Sequence, residues 1–117
     1  MAAVLRLSPI VAGRIDQWRA LHAELMGAKR IEWAQSQRRR GVTRQVVCLV
    51  EDGDRFLAAV YTEAADPDAA LDRLRASHEQ FDRWLVEQLD AVLEPPIPTS
   101  TVVDTAPRPG PWRGGRR

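Results

Sequence analysis

The chain is poor in the residues from which most catalytic and metal-binding machinery is built. Its 117 residues include one cysteine, two histidines, one lysine and no asparagine. With Cys48 alone, no internal disulfide forms, and its mid-strand setting suits a small buried hydrophobe better than a nucleophile. Two histidines and one cysteine do not make a closed zinc centre, so no metal is expected. A glycine-rich phosphate loop, a dinucleotide fingerprint and a Gly-x-Ser-x-Gly elbow are all missing, and no cofactor is expected. No run approaches the roughly 20 apolar residues that span a bilayer. Residues 1–6 lack the basic-then-apolar layout of a signal peptide. A cytoplasmic home without a membrane partner is the expectation. Beyond Thr105 there are four arginines and no acid, which leaves the body slightly acidic and argues against nucleic acid as a partner.

What the chain does have is a pair of strongly apolar segments folded about Glu51-Asp52-Gly53-Asp54. The first is Val46-Val47-Cys48-Leu49-Val50, the second Phe56-Leu57-Ala58-Ala59-Val60-Tyr61. Alternate residues of a strand point to opposite faces, so both faces of both strands are apolar and both expect cover.

Around this hairpin the order of elements is legible. Residues 4–8 read as a short strand closed by Pro9. Residues 13–40 read as one long helix whose wheel places Ile15, Trp18, Leu21, His22, Leu25 and Met26 on one broad face. Gly27 marks a bend or close contact within it. Arg38-Arg39-Arg40 meets the negative end of the helix dipole as a solvated basic end, and Gly41 follows as C′ residue. Asp66-Pro67-Asp68 is a strong helix start. Ser77-His78-Glu79-Gln80 has the form of a capping box and restarts the helix after a break. The restarted helix turns Phe81, Leu85, Leu89 and Val92 inward, with Trp84 beside them. Residues 99–105 are β-branched enough for a last edge strand. One domain over residues 1–105 is expected, with residues 106–117 as a basic, Pro- and Gly-rich disordered tail that carries Trp112.

This βαββαβ order predicts an α+β, ferredoxin-like fold: a four-stranded antiparallel sheet with two helices on one face. The opposite face, left open, is an apolar patch of several hundred Å2 by order of magnitude. A second copy packed sheet to sheet is the simplest cover, so a homodimer is expected. In Trp18-Arg19-Ala20-Leu21, in Glu51-Asp52-Gly53-Asp54 before an apolar strand, and in Ser77-x-x-x-Phe81-Asp82-Arg83, the chain resembles the dimeric α+β-barrel superfamily. That group includes antibiotic-biosynthesis monooxygenases, aromatic polyketide cyclases, haem-degrading monooxygenases and rhamnose mutarotases. The resemblance is nearest to a branch with no assigned activity and implies a pocket in each subunit between the sheet and its helices. Trp18-x-x-x-His22 is similar to the mutarotase pattern in which a first-helix histidine is the acid/base. Phe81-Asp82-Arg83-Trp84 has one tryptophan where mutarotases carry a pair. The haem-degrading branch uses an asparagine, which this chain lacks.

The candidate catalytic residues are His22 and His78, each falling where an apolar residue would be ordinary, with Asp82 and Tyr61 to orient them or a substrate. Trp18, Met26, Lys29, Trp33, Phe81 and Trp84 are the candidate substrate-binding residues. Together they predict a cofactor-independent enzyme on a small molecule, carrying out an isomerase- or cyclase-type proton transfer. A cofactor-free monooxygenase on an electron-rich aromatic substrate is the first alternative. A non-catalytic ligand-binding or assembly module is the second.

Overall fold

A computed structural model describes residues 2–99. In chain order these form β1 (Ala2–Pro9), α1 (Ile15–Met26), α2 (Arg30–Arg39), β2 (Val42–Asp52), β3 (Arg55–Ala64), α3 (Pro67–Ala76) and α4 (Gln80–Val92). The protein is α+β, as expected. Its described sheet has three antiparallel strands in the order β1-β3-β2. The expected last strand and the basic tail lie outside the described residues, apart from Thr99. After α4 the chain returns alongside β1: Ile97 N donates to Leu7 O at 2.7 Å, and Thr99 Oγ1 donates to Leu5 O at 3.2 Å.

The apolar hairpin forms where the sequence places it. β2 ends at Asp52 and β3 begins at Arg55, and the tight turn between them needs the positive φ of Gly53, 64°. Arg55 Nε donates to Asp52 Oδ2 across the turn. The register pairs Val47 with Val60 and Leu49 with Ala58, and pairs Arg6 and Ser8 of β1 with the same two β3 residues. These residues face the helices. Leu5, Val46 and Tyr61 share one row of the other face, with Cys48 and Val50 further along.

The expected long helix is two helices. At Gly27 the backbone leaves helical geometry (φ −113°, ψ −105°), and a Cβ built there would lie 2.9 Å from the carbonyl oxygen of Ala23. Lys29 N bonds Glu24 O, and α2 starts afresh at Arg30. Met26, expected on the inward face, is 69% exposed, because α1 ends there and Leu25 fills the inward position. The break near Ser77 is present, but Ser77 is not a capping-box residue. α4 begins at Gln80 after Glu79, and Ser77 Oγ accepts from Glu79 N. Asp66 caps α3 as expected, its Oδ1 accepting from Ala69 N.

Ile10, Trp18, Leu21, Leu25, Ala58, Leu74, Phe81, Leu85 and Val92 form the main core between helices and sheet. Across the sheet, Leu5 is 47% exposed and Val46 and Val50 are each 37% exposed. Cys48, expected to be buried, is exposed on that side, because its row has no cover from this chain. No helix among the described residues is long and apolar enough to cross a membrane.

Candidate functional site

Between the helix-facing side of the sheet and the helices lies a cavity of about 510 Å3. That is within the size range of small-ligand pockets, roughly 300–1,000 Å3. Its walls are largely apolar: Trp18 and Leu25 of α1, Trp33 of α2, Val47 and Val60 of the sheet, and Leu85 of α4. Glu94, Pro95 and Pro96, after α4, line it as well.

His22 lines this cavity one turn after Trp18, the two rings 4.4 Å apart and tilted by 59°. Its side chain has no hydrogen-bond partner among the described residues, and no fully buried side-chain N or O atom there lacks one. The ring nitrogens are therefore not sealed away from accessible space. Burial lowers the imidazole's pKa below its ordinary value, so the ring is neutral at pH 7 and able to accept a proton.

The other three candidate catalytic residues do not join His22. His78 is exposed in the turn before α4, beside Arg83 and Glu87 in a separate shallow groove. Tyr61 stands on the opposite sheet face, with its phenol donating to Glu63. The sequence does not reveal this placement, because a strand apolar on both faces does not show which parity meets the helices. Asp82 is fully buried at the junction of α2, α4 and the α3–α4 turn. Its carboxylate accepts from Ser36 Oγ at 2.5 Å, Ser77 Oγ at 2.6 Å and Arg39 Nη2 at 3.2 Å. Burial opposes the Asp82 charge, but the three donors and the Arg39 cation outweigh it and hold the carboxyl below its usual range.

Of the candidate binding residues, Trp18 and Trp33 line the cavity. Phe81 is core, packed against Trp84 at 5.7 Å, and the Lys29 ammonium sits 4.7 Å over the Trp84 ring as a cation–π pair. Met26 is outside, as described above.

Two residues absent from the candidate set belong to the site. Arg40, expected in a solvated basic run, is only 6% exposed and lines the cavity. Its Nε donates to Ser36 Oγ at 3.2 Å, while Arg73 Nη1 holds its carbonyl oxygen at 3.2 Å. Ser36 is fully buried and links Arg40 to Asp82. The i,i+4 spacing of Ser36 and Arg40 on one helix face was the available signal. Burial lowers the Arg40 pKa, partly offset by the field of Asp82 and reinforced by Arg39, yet a guanidinium stays charged at neutral pH.

Among the described residues, no three His, Cys, Asp or Glu side chains come together in a way that would hold a metal ion. What the arrangement offers is a largely apolar chamber with a neutral imidazole and a buried guanidinium in its walls. No protein-family model matches the chain, and no curated protein matches it in sequence, so the functional reading rests on this geometry.

Proposed function

We propose that the protein acts on a small organic molecule held in the cavity between sheet and helices, with His22 as the proton carrier of a cofactor-independent, isomerase- or cyclase-type reaction. The observation that carries this reading is His22 itself: a neutral imidazole with no hydrogen-bond partner among the described residues, lining a chamber of about 510 Å3. In such a site the imidazole takes a proton from a carbon next to a substrate carbonyl and returns it to the isomerised or cyclised product, so the ring ends as it began. Apolar walls keep competing water away from the carbanionic intermediate. We read the architecture as that of a dimeric α+β barrel, in which two copies close over the open sheet face bearing Leu5, Val46 and Val50, and each keeps its own chamber.

The test is solvent deuterium exchange into a panel of small enolisable carbonyl compounds, followed by NMR with the full chain. Wild type should catalyse exchange in at least one compound, and His22→Gln should reduce it by roughly 100-fold or more. Exchange that survives His22→Gln unchanged would remove His22 from the chemistry. His78→Ala should leave it intact.

Two further readings each have an observation in their favour. Trp18 and Trp33 wall the chamber as an aromatic substrate of a cofactor-free monooxygenase would require, and oxygen uptake during turnover would favour that reaction. Among the described residues no carboxylate bonds His22 to orient it, as a purely ligand-binding module would allow. Binding without exchange or oxygen uptake would select that module.

A further inference from the structure

Arg40 is the most heavily buried cation among the described residues that has no ion-pair partner there. Arg6, Arg75 and Asp82 have partners elsewhere, while Glu94, also in the lining, has no ion pair among the described residues. Arg6 pairs with Asp68 at 2.6 Å and Arg75 with Asp90 at 3.1 Å, while Asp82 spends its oxygens on Ser36, Ser77 and Arg39. Arg40 uses only Nε, and its Nη1 and Nη2 atoms donate no hydrogen bond among the described residues. Because no fully buried side-chain nitrogen there is left without a partner, these two atoms reach accessible space. Arg40 is itself one of the residues that line the chamber, at 6% exposure.

Asp82 is linked to Arg40 only through Ser36 and its field offsets the burial only in part, and leaving a guanidinium this buried without a direct ion pair is costly. A ligand that supplies the charge removes the cost. We propose that Arg40 is the anion-recognition residue of the chamber, and that the molecule bound there is a compact carboxylic acid with an apolar body. This rests on the proposed function above and adds the substrate class. The end of a guanidinium, with two parallel N–H vectors, matches the two oxygens of one carboxylate. Of the three arginines in the lining, Arg6 and Arg75 are already matched by Asp68 and Asp90, and the one remaining guanidinium suits a monoanion better than a phosphate dianion, which would call for more donors.

The guanidinium is fixed before any ligand arrives. Arg40 Nε donates to Ser36 Oγ, Ser36 donates to Asp82 Oδ1, and Asp82 is held in turn by Ser77 and Arg39. Arg73 fixes the Arg40 carbonyl from α3. Asp82 and Ser36 are thus positioning residues for Arg40 rather than groups that touch substrate.

The experiment is a calorimetric titration of the full chain with matched acid and amide pairs: benzoate and benzamide, phenylacetate and phenylacetamide, hexanoate and hexanamide. At least one acid should bind about tenfold or more tightly than its amide, as charge-assisted pairing predicts. Arg40→Gln should erase the difference while leaving amide binding in place, and Arg38→Gln, an exposed neighbour, should preserve it. Should Arg40→Gln not fold, the Arg40 Nε–H signal of wild type in 15N NMR gives the same answer, moving with the acid and not with the amide. Equal binding of acid and amide would overturn the carboxylate assignment and leave the chamber reading standing. Inorganic phosphate binding as tightly as the best acid would overturn the choice of anion. Binding by neither acids nor amides would overturn both readings together. His22→Gln should keep the acid preference while losing proton exchange, so recognition and chemistry fail separately.

Discussion

Asp82 and His22 show how differently one buried position can treat a titratable side chain. Asp82 is charged, fully enclosed and supplied with three donors. Truncating it strands Ser36, Ser77 and Arg39 at once, so Asp82→Ala should lower stability by about 3 kcal/mol in urea unfolding. Its folded pKa lies below the unfolded value, so the native state binds fewer protons over that interval. The stabilisation is complete above about pH 4 and is lost as pH falls through the folded value; Asp82→Asn should flatten that acid limb. His22 is also lowered, by burial of its ring. The unfolded chain again binds more protons, so stability is unimpaired above about pH 6.5 and declines as pH falls through the folded value. His22→Ala should remove that step from a plot of stability against pH. At this scale the sequence was partly legible. His22 stood out as a polar residue on an inward helical face. Ser36 and Arg40 did not, because their value comes from Asp82, which is 46 positions from Ser36. A run of three arginines looks solvated until the helix opposite is known to carry a buried acid.

The elements follow the periodicity of the chain closely, and the departures have local causes. The wheel over residues 13–40 is a good guide as far as Leu25 and fails at Met26, where Gly27 ends the helix. Gly27 was visible as a bend, but only the packing shows that a side chain has no room beside Ala23 O. Gly27→Ala should therefore destabilise the protein by about 1–3 kcal/mol, measured as a lower midpoint in chemical denaturation. A rise in the midpoint, the usual result of Gly→Ala inside a helix, would mean that α1 and α2 can fuse. The inward face of α4 was read correctly from spacing alone: Phe81, Leu85 and Val92 are buried. The parity of the hairpin was beyond such reading, since Val47 and Leu49 differ from Val46, Val50 and Cys48 in burial but not in apolar character. Tyr61 was assigned to the chamber for that reason and belongs to the other face.

At the scale of the whole molecule, the sheet separates two surfaces of different character. One side needs every helix and the returning chain after α4 to enclose the chamber. The other presents Leu5, Val46 and Val50 to solvent from a single copy. At about 25 cal/mol per Å2, covering several hundred Å2 of such surface contributes several kcal/mol per subunit before the cost of association. Light scattering should give the mass of two chains at micromolar concentration, and Val46→Asp should reduce it to one. A wild-type mass of one chain would contradict the sheet-to-sheet dimer. The proposed chemistry belongs to the enclosed side, and the direct measurement there is a 1H–13C NMR titration of the histidine rings in the full chain, with and without phenylacetate. His22 should titrate below the ordinary histidine value of about 6.5 and shift on adding the acid, while the His78 signal ignores it. A His22 ring that titrates at or above that value and does not respond to the acid would contradict the neutral, chamber-facing base on which the proposed function stands.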